Sequence, residues 1–182
     1  MVKIILNVDG EDREFNIPEE WEEVKVGQAS KLFNLDREGK NQLELTISVV
    51  SILSDMDEEL IYMMSQEQFM ELVEVIKFTN EEVKGELKDF VTIDGDDYYL
   101  KKDFEKLTMG EIISIDTLIN QSNGNLPNVM SKMLCILLRK KNTEGELETF
   151  RNSFMDREAM FNELYITDVN DVFLFFFGGN DS

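Results

Sequence analysis

The chain has 182 residues, and its 38 acidic and 18 basic side chains give a formal net charge of −20. A surface of this sign repels the phosphates of nucleic acids and anionic membranes, so we expect binding to neither. Histidine is absent and Cys135 is the single cysteine, which excludes an internal disulfide, a Cys/His zinc site and a histidine general base. The hydrophobic share of 42%, with 13 phenylalanines, indicates a packed core rather than a disordered acidic tail. We expect Cys135 to pack in that core in a reducing compartment.

The first predicted element is a β-hairpin within residues 2–17. An apolar run over 4–8 reaches Asp9-Gly10, and a second β-prone run ends at Ile17. Asp-Gly is typical of a type I′ turn, because both central residues of that turn need a positive φ. The run is too short for a signal peptide, and no segment reaches the ~18 apolar residues of a membrane span. These features predict a soluble intracellular protein.

A bend and several helices are predicted after the hairpin. Trp21 lies in the bend, and Gly27 starts a stretch whose apolar residues have helical spacing. Residues 43–53 predict a largely buried helix, although their β-branched side chains leave a strand open. A short helix over 57–64 follows, and then a capping box at Ser65, with Gln68 at its third position, begins another helix.

The same order of features returns in the second half of the chain. A β-prone run reaches Asp94-Gly95, 85 residues after the first Asp-Gly pair, and Phe104 and Gly110 follow Trp21 and Gly27 at a common offset of 83. Agreement at several ordered positions indicates an internal repeat. Further helices are predicted over 126–139 with Pro127 in the first turn, over 156–164, and over 167–177 with Gly178-Gly179 as the C-cap.

These elements predict an α+β fold that is mainly helical and consists of a duplicated unit, a β-hairpin followed by several short helices. The first repeat covers 1–80, a charged connector covers 81–89, and the second repeat covers 90–182. A hairpin is marginally stable alone, so we expect the two hairpins to pair into one four-stranded sheet. Whether the repeats form two domains or one core stays open. The connector and the polar loops 120–125 and 140–148 are the expected flexible points.

No motif in the chain predicts catalysis. Asp94, Asp96 and Glu105 fall at positions one, three and twelve of a calcium loop, but Tyr98 and Tyr99 occupy positions five and six, where an oxygen ligand and a glycine are needed. A hairpin turn explains the same residues better. The sequence contains no glycine-rich loop of the kind that binds phosphate. Pairs of carboxylates that could act together in catalysis are expected by chance in a chain with 38 acidic residues. We therefore predict no enzyme activity, no catalytic residue, no metal and no cofactor.

Two segments are candidate partner surfaces. Eight carboxylates and one arginine surround Trp21 between residues 9 and 23, and the alternative is that Trp21, like Phe104 in the second unit, anchors a bend to the core. The run 173–177, which includes Phe173 and Phe176, forms either a central core helix or a helix that docks into another chain. Core packing is the favoured interpretation in both cases.

The segment 17–28 resembles a motif of small tailed-bacteriophage proteins, including ones from crAss-like and other Bacteroidetes phages. In these proteins a Pro-x-x-Trp-x-x-Val-x-x-Gly-Gln-like stretch follows a hairpin, and a weaker Asp-Gly … Leu-Thr-x-Gly-Glu copy comes later, as in 94–95 and 107–111 here. The motif residues in this chain are Pro18, Trp21, Val24 and Gly27, with Gly110 in the second copy.

The resemblance implies a non-enzymatic role as a tail or neck component, a protein packaged with the genome, or a tail-assembly chaperone. Its partners would be portal, neck or tail proteins, met in the host cytoplasm during assembly or in the virion. The alternative, suggested by charge alone, is an acidic decoy that imitates DNA and inhibits a DNA-binding host protein.

Overall fold

The computed structural model describes residues 1–8, 10–85 and 88–177, with the backbone alone at 104 and 174–177. The fold is mixed α/β, with two small antiparallel sheets and eight α-helices in that part of the chain. Strand β1 (Val2–Val8) pairs with β2 (Glu11–Ile17) from Val8–Glu11 at the turn to Val2–Ile17 at the far end. Gly10 has a φ of 87°, as the predicted turn requires, and Asp9 lies outside the described residues.

Helices complete the first half of the chain. A 3-10 turn precedes them, and in chain order the elements are the turn Trp21–Glu23, α1 (Val26–Phe33), α2 (Gln42–Ser54), α3 (Glu58–Tyr62), α4 (Gln66–Val75) and a 3-10 helix at Ile76–Asn80. Residues 43–53, which the sequence analysis left open between a strand and a helix, are therefore helical. The predicted capping box is confirmed, since Gln68 N–H donates to Ser65 Oγ at 3.2 Å and Ser65 N–H donates to Gln68 Oε1 at 3.0 Å.

The second half begins with β3 (Phe90–Ile93) and β4 (Asp96–Leu100). Asp94 and Gly95 between them have φ angles of 53° and 84°, which confirms the hairpin turn. A third strand, β5 (Leu138–Arg139), pairs with the outer edge of β4. The expectation of one four-stranded sheet is wrong for the described residues, because β5 occupies that edge and α2 packs against β2.

The predicted helix over 126–139 is divided into three elements. It starts as a 3-10 turn at Leu126–Val129, with Pro127 in its first turn as expected, and continues as α6 (Met130–Leu137). Leu138 has φ −92° and ψ 124°, so the chain is already extended there and enters β5. The remaining elements are α5 (Met109–Gln121), which precedes α6, and a 3-10 helix at Asn152–Arg157, α7 (Glu158–Phe161) and α8 (Ile166–Phe177), which follow it. The predicted cap at Gly178-Gly179 lies outside the described residues.

Helix α6 is the centre of the core. All of its side chains except Lys132 are buried, and α1, α5 and α7 pack around it. Cys135 is fully buried, which confirms its predicted core position. Phe173 of α8 also belongs to the core, while the side chain of Phe176 lies outside the described part. The buried apolar residues of both halves form one continuous cluster, and no helix of the described residues is long and apolar enough to cross a membrane.

The first half of the connector lies along α8. Asn170 Nδ2 donates to the carbonyl oxygen of Val83 at 3.1 Å, and Gly85 sits directly against the backbone of Thr167. Lys88 forms an ion pair with Asp168 beyond the two undescribed residues 86 and 87. The segment expected to be flexible therefore contacts the helix at several points.

Candidate functional site

Trp21 packs in the core and also borders a groove. Its side chain is 7% exposed, its ring meets Phe78 edge-on with centroids 5.3 Å apart, and Phe33 lies at 6.0 Å on another side. The indole N–H donates to the carbonyl oxygen of Glu81 at 3.1 Å. These contacts confirm that Trp21 anchors the bend, because they attach it to the end of α1 and to the segment that follows α4.

We name the open space beside this residue the Trp21 groove. It has a volume of about 510 Å³ and lies between the end of α1, α2 and the α4 region. Eight of the fourteen lining residues are apolar or aromatic and the other six carry amide, hydroxyl or cationic groups, so that polar atoms make up more than half of the exposed surface of the groove. The lining residues are Trp21, Leu32, Phe33, Leu35, Arg37, Gln42, Leu45, Thr46, Val49, Val73, Ile76, Lys77, Thr79 and Asn80.

The charge of the Trp21 groove is opposite to that of the chain. Its lining contains Arg37 and Lys77 and no aspartate or glutamate, although 38 of the 182 residues of the chain are acidic. Lys77 also forms an ion pair with Glu74, three residues earlier at the end of α4. Arg37 is exposed and has no ion-pair partner within the described residues. The groove therefore combines apolar surface with a cation that is free to meet a carboxylate.

Local sequence explains how the groove forms. Helix α1 ends at Phe33, and the Asn34 side chain donates to the Ser30 carbonyl at 2.8 Å, so the chain leaves the helix there. Phe33 stays 45% exposed at the rim. Asn41 is the N-cap of the next helix, α2, and its side chain accepts from the backbone N–H groups of residues 43 and 44. The connection between these two caps places Arg37 beside the aromatic residues.

The other predicted motif residues lie away from the groove. Pro18 and Val24 are buried, and Ile166 N–H donates to the Val24 carbonyl at 2.8 Å. Gly27 N–H donates to the Asn162 carbonyl at 3.0 Å, and a Cβ at Gly27 would lie 3.3 Å from the Cβ of Asn162. These residues attach the start of α1 to the segment before α8. The motif is therefore a packing junction around Trp21.

The second-half counterparts do not repeat this junction. Gly110 is the second residue of α5, and a Cβ there would meet nothing closer than the Thr108 hydroxyl at 3.9 Å. Phe173 is 5% exposed and faces the core, so it lines neither the groove nor an open surface. The side chains of Phe104 and Phe176 lie outside the described part of the chain. Of the six predicted residues whose side chains the structure describes, Trp21 alone lines the groove.

A buried charge cluster was not predicted from the sequence. Glu111 on α5 accepts from Arg139 Nη2 at 2.8 Å and from Lys101 Nζ at 2.7 Å, and its Oε2 also accepts from the backbone N–H of Thr108 at 2.7 Å. Burial alone raises the pKa of Glu111, but the hydrogen bonds from Lys101 and Thr108 outweigh it and lower the pKa below its ordinary value. The cluster joins α5 to β4 and β5. Its signal in the sequence was Arg139 at the end of an apolar run.

The described residues contain no group of three His, Cys, Asp or Glu side chains placed to hold a metal ion. Comparison with protein-family models, with curated proteins and with solved structures found no match to the chain.

Proposed function

We propose that the chain is a non-enzymatic structural or assembly protein of a tailed bacteriophage that acts through protein–protein contacts. Its partners are portal, neck or tail proteins, and it acts in the host cytoplasm during assembly, as a chaperone or as a component that enters the virion. The resemblance of residues 17–28 to small phage proteins supports the phage assignment. The net charge of −20 supports protein partners over nucleic acid or anionic membranes.

The Trp21 groove carries this proposal. Its mixed lining, in which Trp21, Phe33 and aliphatic residues stand beside polar groups, and its space of about 510 Å³ suit one face of a short amphipathic helix from a partner protein, with one large side chain as the anchor. Arg37 and Lys77 favour a carboxylate beside that anchor. The occupant is thus an amphipathic, acidic helical segment of another phage protein, which meets no aspartate or glutamate in the lining of the groove.

We also propose that the fold arose by internal duplication. The 3-10 turns Trp21–Glu23 and Phe104–Lys106 are 83 residues apart, and so are the starts of α1 at Val26 and of α5 at Met109. Each turn and helix follows an Asp-Gly hairpin in the same order. All residues that line the Trp21 groove belong to the first unit, so binding would be a property that one copy developed after the duplication.

The proposal is tested by reversing the charge of the groove. Arg37→Glu/Lys77→Glu changes the rim while leaving the apolar lining in place, and surface ion pairs contribute only about 0–1 kcal/mol to stability. The matched control, Arg13→Glu/Arg151→Glu, makes the same charge change at exposed sites outside the groove. Each variant replaces the natural chain in phage-producing cells. The measurement is quantitative mass spectrometry of partner complexes and purified particles at moderate salt.

We expect the groove variant to lose its phage partner, or its place in the particle, while the control keeps it. Equal behaviour of the two variants would contradict the role of the groove. The decoy alternative makes a different prediction. If the chain is absent from phage complexes and instead displaces DNA from a basic host protein with a steep salt dependence, the assembly role is wrong.

A further inference from the structure

A second groove runs along the outer edge of β1. Two adjoining depressions of about 240 and 260 Å³ lie between β1 and the α3–α4 layer. They share Ile5, Leu6, Met64 and Gln68, so together they follow the strand from Val2 to Val8. We name this feature the β1 groove. It shares no lining residue with the Trp21 groove.

The backbone of β1 offers unpaired groups to this groove. Val8 and Glu11 form the pair next to a two-residue turn, which exchanges hydrogen bonds, and the pairs along the ladder then alternate. The N–H and C=O groups of Lys3, Ile5 and Asn7 therefore point away from β2. Within the described residues they have no hydrogen-bond partner, and β1 pairs with β2 alone. Such an edge is a template for one more strand.

Exposed apolar side chains accompany the free edge. Ile5 is 54% exposed on β1, and Met63 at the opposite wall is 75% exposed. Methionine is flexible and polarisable, which suits a surface that adapts to a bound segment. An extended peptide could thus gain backbone hydrogen bonds on one side and apolar contact on the other.

The charge around the β1 groove favours one kind of occupant. The lining itself contains one cation, Lys3, and one carboxylate, Glu71, whereas the elements that surround it, β1, β2, α3 and α4, carry eight carboxylates and two cations in total. A second copy of the chain would bring the same acidic surface and be repelled, whereas a cationic segment would be attracted. The second hairpin shows strand addition at its other edge, since β5 pairs with its second strand, β4, with Arg139 opposite Tyr99.

We propose that the β1 groove binds an extended segment of a different protein, bearing lysine or arginine and alternating apolar side chains, which adds as a third strand beside β1. The probe is a short fluorescent peptide of alternating lysine and valine, and its control is the same peptide with a fully N-methylated backbone. The control keeps the charge and side chains but cannot donate strand hydrogen bonds. Binding is measured by fluorescence anisotropy with the full chain.

We expect the N-methylated peptide to bind at least about tenfold more weakly, because several net-favourable hydrogen bonds are lost. Ile5→Pro removes one outward N–H at an edge position that tolerates proline, and should weaken binding about fivefold. Met63→Ser removes apolar contact without a charge change and should also weaken it by about fivefold. Met109→Ser is the matched control, since Met109 is 68% exposed outside the groove.

Three results would overturn the proposal. Equal binding of the two peptides would show charge attraction alone, and equal binding by the Met63 and Met109 variants would place the peptide elsewhere. Self-association of the chain that Met63→Ser abolishes would make a second copy the occupant. Circular dichroism checks that Ile5→Pro still folds, and the Met63 variant and the N-methylated peptide decide the question if it does not.

Discussion

Glu111 and Arg139 form an ion pair that is almost completely buried. Their side chains are 3% and 1% exposed, and Arg139 Nη2 lies 2.8 Å from Glu111 Oε1. The guanidinium carbon stands 4.8 Å from the ring centroid of Phe150 and 5.1 Å from that of Phe154. Arg139 Nε and Nη1 have no hydrogen-bond partner among the described residues. The pair thus neutralises a charge held between aromatic rings, where water cannot replace the carboxylate.

Removal of the carboxylate should therefore be costly. Glu111→Gln leaves Arg139 charged and buried, and we expect the free energy of unfolding to fall by about 3–5 kcal/mol. The double variant Glu111→Gln/Arg139→Met removes the charge as well and should recover much of that loss. Urea unfolding measures the free energy of unfolding of the two single variants, Glu111→Gln and Arg139→Met, and of the double variant. If the loss in the double variant equals the sum of the two single losses, the account is contradicted, because residues in direct contact should show a coupling energy.

The same carboxylate predicts a pH dependence. The pKa of Glu111 is lowered from its ordinary 4.5, because hydrogen bonds outweigh the effect of burial. The unfolded state therefore binds the proton at a higher pH than the folded state does. The stability that Glu111 contributes is fully present above pH 4.5 and is lost as the pH falls through the folded pKa.

The measured quantity is the difference in unfolding free energy between the natural chain and Glu111→Gln, followed by urea titration from pH 7 downward. Because both proteins share the other acidic groups, general charge repulsion largely cancels. We expect a constant difference above about pH 5 that shrinks below 4.5. A difference that grows on acidification would show that the pKa of Glu111 is raised instead.

Gly85 tests the docking of the connector on α8. A Cβ at this position would lie 2.3 Å from the Thr167 carbonyl oxygen, so a backbone must move. We expect Gly85→Ala to destabilise the protein by about 1–3 kcal/mol. Gly110→Ala is the control, because the nearest contact of its Cβ is the Thr108 hydroxyl at 3.9 Å and alanine favours the helix by about 0.5–1 kcal/mol. Thermal unfolding of both variants checks this, and equal shifts in Tm would contradict the docking.

Cys135 reports on opening of the core. Burial is the main cause that raises the pKa of its thiol to about 12, so the reactive thiolate is scarce in the folded protein. With a thiol-specific reagent in sufficient excess to capture each opened chain before it recloses, we expect labelling at the rate of unfolding, with little acceleration between pH 7 and 9. Labelling in mild urea should speed up in parallel with loss of the circular dichroism signal. Rapid, pH-dependent labelling of the native state would contradict burial in a stable core.

Short-range features of the fold could be predicted from the sequence. The Asp94-Gly95 turn and the Ser65 capping box depend on residues at most three positions apart, and both are present as expected. The order of turn and helix after each hairpin was predicted for the same reason. The division of residues 126–139 was not, because its last two residues pair with β4, about 40 positions earlier.

The candidate site depends on similar long-range contacts. Trp21 was singled out from the sequence, but Arg37 and Lys77 meet at the groove only after α1, α2 and α4 have packed. The partnership of Glu111 with Arg139, 28 positions apart, likewise follows from the tertiary fold. A cation in an apolar run does indicate a buried partner, since an unpaired buried charge is too costly. The sequence alone does not say which carboxylate supplies it.

Photocrosslinking from the rim of the Trp21 groove tests the central claim most directly. A benzophenone side chain replaces Phe33, which is 45% exposed in the groove, and in a control chain it replaces Ile113, which is 59% exposed outside it. Both chains are illuminated in phage-producing cells, and mass spectrometry identifies the adducts. We predict that position 33 captures one phage structural protein through an acidic helical segment, and that Arg37→Glu/Lys77→Glu abolishes the adduct. Equal capture from both positions, or capture of a DNA-binding host protein from position 33, would contradict the account.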